Sequence, residues 1–259
     1  MYYNDLVNYL LNGYISDVRL ISGSGGGIYS GATITVPTAP LTAVTDTKLL
    51  LNATNAGIVD NAMMNDLETV GNAQISTSVK KYGTGSLKFN GSSDYLTLPV
   101  NPLFDPGPGN FTIDGWIYPL AYPSAGQGAG IIDRGQSAGY ALFSVNLRSN
   151  GNIEAYMSRN NGLAVPNIIT AGSVSLNTWT HFAFVKTSNT YVLYINGTSV
   201  GTVTNADSPA NNSGLATRVG IASTYFNGYM DDIRITKGFA RYTANFTPPI
   251  ATLPDTGPY

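Results

Sequence analysis

The chain has no cysteine, a single histidine (His181) and only two glutamates, Glu68 and Glu154, in 259 residues. Without cysteine there is no disulfide, no thiolate zinc site and no cysteine nucleophile. Scarce glutamate and lysine leave little material for long helices and favour strands joined by turns. Charged residues make up 11%, roughly half the usual share, and 15 acids against 13 bases leave a formal charge of −2. No run of basic residues occurs, so the electrostatic footprint of a nucleic-acid binder is missing and no nucleic-acid partner is expected. No apolar stretch approaches the roughly 18 residues that span a bilayer, so no membrane insertion is expected. No basic residue precedes Arg19, and a basic-headed secretory signal is not expected either.

Glycine, tyrosine and asparagine are plentiful instead, with 29, 17 and 25 residues. Apolar and polar residues alternate in Ser86–Phe89, Tyr95–Leu98, Phe111–Tyr118, Tyr140–Leu147, Ile153–Met157, Thr180–Lys186, Tyr191–Ile195 and Tyr229–Ile235, each run bounded by Gly, Asn, Pro or Asp. Such runs are short strands. Asn150-Gly151 stands between the strands ending at Leu147 and starting at Ile153, and Asn196-Gly197 between Tyr191–Ile195 and Ser199–Val203. Each Asn-Gly supplies the positive φ of a tight hairpin turn. Many short antiparallel strands without a long helix predict an all-β antiparallel sandwich. Only residues 2–11, with Leu6, Leu10 and Leu11, carry a helical spacing.

The sequence also repeats itself in part. Asn12–Leu20 (NGYISDVRL) matches Asn227–Ile235 (NGYMDDIRI) almost position for position, and both are followed by Gly (Gly23, Gly238), Tyr (Tyr29, Tyr242) and Pro (Pro37, Pro249). The N-terminal stretch therefore reads as the closing strands of a second, mostly absent copy. The expected division is a partial-repeat β arm over 1–44, a sandwich over 45–250 and a C-terminal tail over 251–259. One or two strands bury too little surface to stand alone and leave unpaired edges. The arm is therefore expected either to dock on the sandwich of its own chain or to be exchanged into a neighbour, which predicts self-association as a homo-oligomer.

Five motifs stand in a fixed order: Tyr82–Leu96 (G-x-x-S-x-x-F-x-G), Asn110–Pro119 (F-T-x-x-x-W-x-x-P), Trp179–Val185 (W-x-H-x-A), Leu193–Gly197 (Y-x-N-G) and Gly228–Ile235 (G-x-x-D-D-x-R-I). In type and order they resemble the concanavalin A-like lectin/glucanase superfamily in its laminin-G-like (pentraxin-like) branch. Gly238–Pro249 is similar to the ends of laminin-G-like modules found in tail-fibre and structural proteins of bacteriophages. The resemblance implies the jelly-roll fold, which hosts enzymes, lectins, adhesion modules and virion parts. It also implies a structural Ca²⁺ held by an Asp of the final strand and groups near the start of the domain, here Asp232 with Asp60. The partial copy keeps Asp17 at the position of Asp232 but has Ser16 at that of Asp231. The alternative for Asp232 is a pair with Arg234 or the cap of a turn.

Other chemistry finds little support. Retaining glycosidases of this fold carry alternating acids along one strand, so that two carboxylates face the groove. Neither Glu68 nor Glu154 has such a partner, and Asp231 and Asp232, being adjacent, are expected on opposite faces. His181 reads as a packed strand residue between apolar neighbours, and Gly23–Gly27 lacks the helix and lysine of a phosphate loop. Six Asn-x-Ser/Thr sequons, at Asn52, Asn90, Asn110, Asn196, Asn211 and Asn245, match what chance gives at this asparagine content. Sugar binding calls for exposed aromatic faces with amides and charged groups beside them. The loop candidates are Tyr118 and Tyr122; Asp133 and Arg134 with Gln136; and Tyr156 with Arg159, Asn160 and Asn161. The same groups suit a protein interface.

These readings converge on a non-enzymatic structural or adhesion module of a phage virion, such as a tail fibre, capsid fibre or decoration protein. It would be assembled in a host cytoplasm with other virion proteins and displayed on the virion surface. The alternatives are an extracellular lectin module binding a cell-surface glycan, with or without calcium, and a glycan-degrading enzyme.

Overall fold

A computed structural model describes residues 18–21, 36–39, 47–51, 67–135, 142–159, 164–205 and 214–253. Residues 2–11, Gly23–Gly27 and Asp60 lie outside them. The chain forms two compact units, Met1–Gly57 and Ile58–Tyr259. In the first, β1 (Val18–Ile21) pairs antiparallel with β2 (Thr47–Leu51), Val18 facing Leu51 and Leu20 facing Leu49. Its counterpart in the sequence repeat, Ile233–Thr236, lies inside the last strand of the second unit.

The second unit is a sandwich of two seven-stranded antiparallel sheets. Sheet I runs in the order β11 (Ala164–Ser173), β10 (Asn152–Arg159), β9 (Phe143–Arg148), β8 (Gly128–Arg134), β15 (Thr217–Val219), β6 (Tyr95–Leu98) and β3 (Glu68–Val70). Sheet II runs β14 (Thr198–Thr204), β13 (Thr190–Ile195), β12 (Thr180–Thr187), β7 (Phe111–Pro119), β16 (Asn227–Lys237), β5 (Ser86–Asn90) and β4 (Gln74–Ser76). The chain changes sheet repeatedly, from β5 to β6, β6 to β7, β7 to β8, β11 to β12, and then at β15 and β16, as a jelly roll requires. Among the described residues there is no α-helix, only a 3₁₀ turn at Pro102–Phe104. Among the described residues no helix is long and apolar enough to cross a membrane.

Alternation explains the core. Phe143, Val145 and Leu147 of β9, Ile153, Ala155 and Met157 of β10, Phe111, Ile113 and Ile117 of β7, and Phe182 and Phe184 of β12 all point between the sheets into one buried cluster. Both expected hairpins form: Gly151 has φ 81°, while Asn196 and Gly197 have φ 48° and 77°.

The outer face of sheet II is apolar as well, because Ala183 and Val185 of β12 and Tyr194 of β13 form a second buried cluster there. The segment after β16 covers it. Tyr242 and Phe246 stack with ring centroids 3.7 Å apart, and Phe246 meets Tyr194 edge-on. The Phe246 amide donates to the Gly197 carbonyl at 2.9 Å, and the Ser199 amide to Asn245 Oδ1 at 2.9 Å. A Cβ on Gly197 would lie 1.8 Å from the Phe246 carbonyl oxygen, so this turn and the covering segment meet backbone to backbone.

β16 breaks its own alternation. Asp231 faces Trp116 and Arg234 faces Asp114, so Asp232 and Ile233 together oppose Gly115, and Asp232 takes φ 51°. This is a β-bulge. A Cβ on Gly115 would approach Ile233 Cδ1 to 2.6 Å, so the bulge needs glycine opposite it.

Candidate functional site

Sheet I differs from sheet II in its outer face, which is polar. Cross-strand register brings residues far apart in sequence into one row: Tyr156 faces Ser144, Ser144 faces Asp133, Asp133 faces Arg218, Arg218 faces Thr97, and Thr97 faces Glu68. A neighbouring row sets Thr170 beside Glu154 and Glu154 beside Asn146. Ser144, Asn146 and Asp133 form a floor that is almost solvent-free, and Tyr156, Glu154, Arg148, Arg218 and Thr170 form a rim with access to water.

The floor is bonded internally. The Ser144 hydroxyl donates to Asn146 Oδ1 at 2.8 Å, and Arg218 Nη2 donates to Asp133 Oδ1 at 2.8 Å and to the Gly135 carbonyl. Burial pushes the Asp133 carboxyl up to about 6, against the opposing pull of Arg218 and Ser144. Burial, with the Asp133 and Glu154 charges, also holds the Tyr156 hydroxyl above its usual range, so it stays protonated and able to donate. On the rim, Arg148 Nη1 lies 3.5 Å from Glu154 Oε1, and Thr170 Oγ1 reaches Glu154 Oε2 at 3.5 Å. The result is one phenol, one carboxylate, two guanidiniums and a hydroxyl on one rigid face.

The expected site residues separate. Tyr156 belongs to this rim. Asp133 and Arg134, expected on a loop, lie instead on β8, all seven residues of which are buried. Asp133 joins the floor, whereas Arg134 points into the sandwich with no exposed surface. Its Nε lies 2.7 Å from Asp105 Oδ1, Nη1 donates to Thr217 Oγ1 at 2.9 Å, and Nη2 donates to the Asn101 carbonyl at 3.1 Å. Arg134 is therefore a structural ion-pair residue that no ligand on the surface can reach. Tyr118, on β7, lies on the outer face of sheet II against Trp179 and Tyr229. Tyr122 donates its hydroxyl to the Val174 carbonyl at 2.7 Å beside the Gly151 turn. Asn160, Asn161 and the Arg159 side chain lie outside the described residues, as does Gln136. The three tyrosines thus occupy three different places. Arg218, Ser144 and Asn146 were missed by sequence reasoning. For Ser144 and Asn146 the signal was the polar half of the Phe143–Arg148 alternation, which marks a sheet face turned from the core; Arg218, on the three-residue β15, had none.

The calcium expectation meets a different donor set. Asp232 Oδ2 accepts the Leu253 amide at 2.8 Å, and Asp231 Oδ2 accepts the Lys81 and Tyr82 amides at 3.0 and 3.1 Å. Both carboxyls are pushed up by burial. Bound to N–H donors and partly desolvated, they anchor backbone. Among the described residues no three His, Asp or Glu side chains come together that could hold a metal ion. Asp60, the expected partner of Asp232, lies outside the described residues. The bulge also corrects the expected opposite facing of Asp231 and Asp232, since strict alternation stops there. Arg234 pairs not with Asp232 but with Asp114, donating from Nε at 3.0 Å and Nη2 at 2.7 Å. His181 is packed as expected, edge-on to Trp116, Tyr242 and Phe246, and burial lowers it to about 4.

A family model described as the concanavalin A-like lectin/glucanases superfamily matches residues 90–239. No curated protein matches the chain. Domain 4 of AbnA, an extracellular GH43 arabinanase from Geobacillus stearothermophilus solved in complex with arabinotriose, superposes with a TM-score of 0.51 at 18% identity. That match covers 67% of this chain and 79% of that one. The binding domain of botulinum neurotoxin DC in complex with SialylT superposes with a TM-score of 0.50 at 15% identity, covering 80% of this chain and 46% of that one. At these identities the likeness is one of fold.

Proposed function

The chain belongs to the concanavalin A-like lectin/glucanases superfamily, and from that premise we propose a non-enzymatic carbohydrate-binding and adhesion module whose glycan-facing surface is the outer face of sheet I. The observation that carries this reading is the polar rim over a bonded floor: Tyr156 offers a ring face and a donor, and Glu154, Arg148, Arg218 and Thr170 offer hydroxyl partners around it. A sheet face that served only to contact solvent would not need Ser144, Asn146 and Asp133 removed from water and tied to one another. The fold relatives solved with arabinotriose and with SialylT support a sugar ligand for this architecture.

Two features support a non-enzymatic role. Glu154 alternates on β10 with Asn152 and Tyr156 rather than with another acid, and Asp133 is engaged by Arg218. In setting, the reading extends to a phage virion component, supported by the cysteine-free, Asn-, Thr- and Gly-rich composition and by the similarity of Gly238–Pro249 to phage modules.

The test is a glycan array with the full chain and with Tyr156→Ala. Binding to at least one glycan that falls tenfold or more in the variant supports the proposal, whereas no binding, or binding indifferent to Tyr156, refutes it. Self-association through the N-terminal arm is tested by light scattering. A truncation beginning at Thr42 is expected to lower the mass of the assembly, and an unchanged assembly refutes it.

A further inference from the structure

Sheet II stops short along its longest strand. β16 runs over Asn227–Lys237, but β5 pairs only with Asn227–Met230. Beyond Met230 the strand keeps β7 on one side, and among the described residues no strand pairs with its other edge. Asp231 and Asp232 are engaged by the Lys81, Tyr82 and Leu253 amides, so the unpaired length is Ile233–Lys237. Edges meant to stay single are commonly guarded by a charge turned inward. Here the residues turned inward are Ile233 and Ile235, both half-buried and both packed against the main core.

The partial repeat shows what such a strand pairs with. β1 is the counterpart of Ile233–Thr236, and β2 lies antiparallel to it, with Leu51 opposite Val18, Leu50 opposite Arg19, Leu49 opposite Leu20 and Thr47 opposite Ile21. Carried to β16, this register sets Leu51 opposite Ile233, Leu50 opposite Arg234, Leu49 opposite Ile235 and Thr47 opposite Thr236. Alternation then gives Leu49 and Leu51 the positions of the core face. One step further Asp46 falls opposite Lys237, a cross-strand pair of opposite charge. A two-stranded ribbon such as β1–β2 is marginal by itself and gains by joining a larger sheet. Within one chain β16 neighbours only β7 and β5, and β2 neighbours only β1, which leaves the second edge of each for another copy.

We propose that the Ile233–Lys237 edge of one copy accepts β2 of a second copy, with β1 of that copy on its far side. Sheet II then continues through β7, β16, β2 and β1 across the interface, by strand addition. Donor and acceptor are different surfaces, so the contact is heterologous and joins copies head to tail. The inference rests on the self-association reading above and names the surface that receives the arm.

The chain has no cysteine, so introduced cysteines report the contact by disulfide formation. Asp46→Cys and Lys237→Cys are made in separate chains, one of them tagged, then mixed and oxidised. Thr204→Cys, on β14 at the opposite edge of sheet II, replaces Lys237→Cys in the control. The mixed crosslink is expected to form at least tenfold faster than the control, and both cysteines in one chain are expected to give a ladder of crosslinked multimers. Melting curves check that each variant is folded. A rate no faster than the control overturns the inference, and so does a crosslinked monomer from the doubly substituted chain, which assigns the edge to the chain's own β2. Light scattering on the unmodified chain separates the two readings. A multimer that fails to give the crosslink overturns the edge and leaves self-association standing, whereas a monomer overturns self-association and the edge with it.

Discussion

Replacing Asp114 by asparagine tests the reasoning about sheet II most directly. The Asp114 carboxylate is fully buried and accepts three hydrogen bonds, from Arg234 Nε at 3.0 Å, Arg234 Nη2 at 2.7 Å and the Tyr242 hydroxyl at 3.0 Å. Through them it ties β7 to β16 and to the covering segment. Asparagine keeps the shape but removes the charge and turns an NH₂ toward donors, leaving the guanidinium without its counter-ion. Breaking a buried pair by removing one partner costs about 3–5 kcal/mol. The Arg234 side chain is 15% exposed, so some water reaches it and the lower end, about 3 kcal/mol, is expected. For a domain of this size that is a melting-point drop of about 6–12 °C, or a shift of the urea midpoint by roughly 1–1.5 M. Urea unfolding followed by tryptophan fluorescence reads it, because Trp116 lies on the same face. If the orphaned guanidinium is the cause, the double variant Asp114→Asn/Arg234→Met recovers at least half of the loss. A single-variant cost below about 1 kcal/mol, or a double variant no better than the single, refutes the reasoning.

Three further outcomes are expected. His181, held near 4 by burial against an ordinary 6.5, contributes stability that is whole above pH 6.5 and is lost as the pH falls toward 4, by up to about 3 kcal/mol; a stability gap between the wild type and His181→Gln that stays constant over this range contradicts it. Asp133, raised from 3.8 to about 6, acts in the opposite sense: the native state holds its proton longer, so its contribution declines as pH rises from about 4 to 6, and a carboxyl titrating near 4 by NMR rules this out. Gly197→Ala forces a Cβ into the Phe246 carbonyl at φ 77° and is expected to cost more than the 1–3 kcal/mol of local strain alone, whereas Gly151→Ala, whose nearest contact would be 3.2 Å, stays within that range; equal melting points for the two variants would show that the covering segment yields freely.

The strands that alternate cleanly were legible, and so were both Asn-Gly hairpins, because period and turn chemistry are local. β8 was not. Its sequence, Gly128-Ala129-Gly130-Ile131-Ile132-Asp133-Arg134, has no alternation to read because both of its faces are covered, and its charged end looks like a loop. Asp133 and Arg134 were therefore assigned to a surface when one is in the polar floor and the other in the core. β11 was hidden by Pro166 and by polar residues, and β15 by its length of three residues. The covering of sheet II did leave a trace that reading these runs as alternating passed over: Phe182–Val185 and Tyr191–Ile195 are apolar at every position, which in a sheet means burial on both faces. Tyr156 and Asp133 were both singled out, but not as members of one site. Ser144, Asp133 and Arg218 meet Tyr156 only through the register of β10, β9, β8 and β15, and register between distant strands is a tertiary property.

The two outer faces lead to opposite expectations for binding. On sheet II the tail residues Tyr242 and Phe246 are spent on covering Ala183, Val185 and Tyr194. On sheet I a buried polar network costs stability unless its members satisfy one another, and here Arg218 satisfies Asp133 while Ser144 satisfies Asn146. Its floor members, Ser144, Asn146 and Asp133, are too deeply buried to touch a ligand. Its effect must therefore pass through the rim, by fixing the strands on which Tyr156 and Glu154 stand so that little side-chain or backbone freedom is lost on binding. Substitution of a floor residue such as Ser144 is accordingly expected to weaken glycan binding through the position of Tyr156, and substitution of Tyr156 itself through the loss of contact.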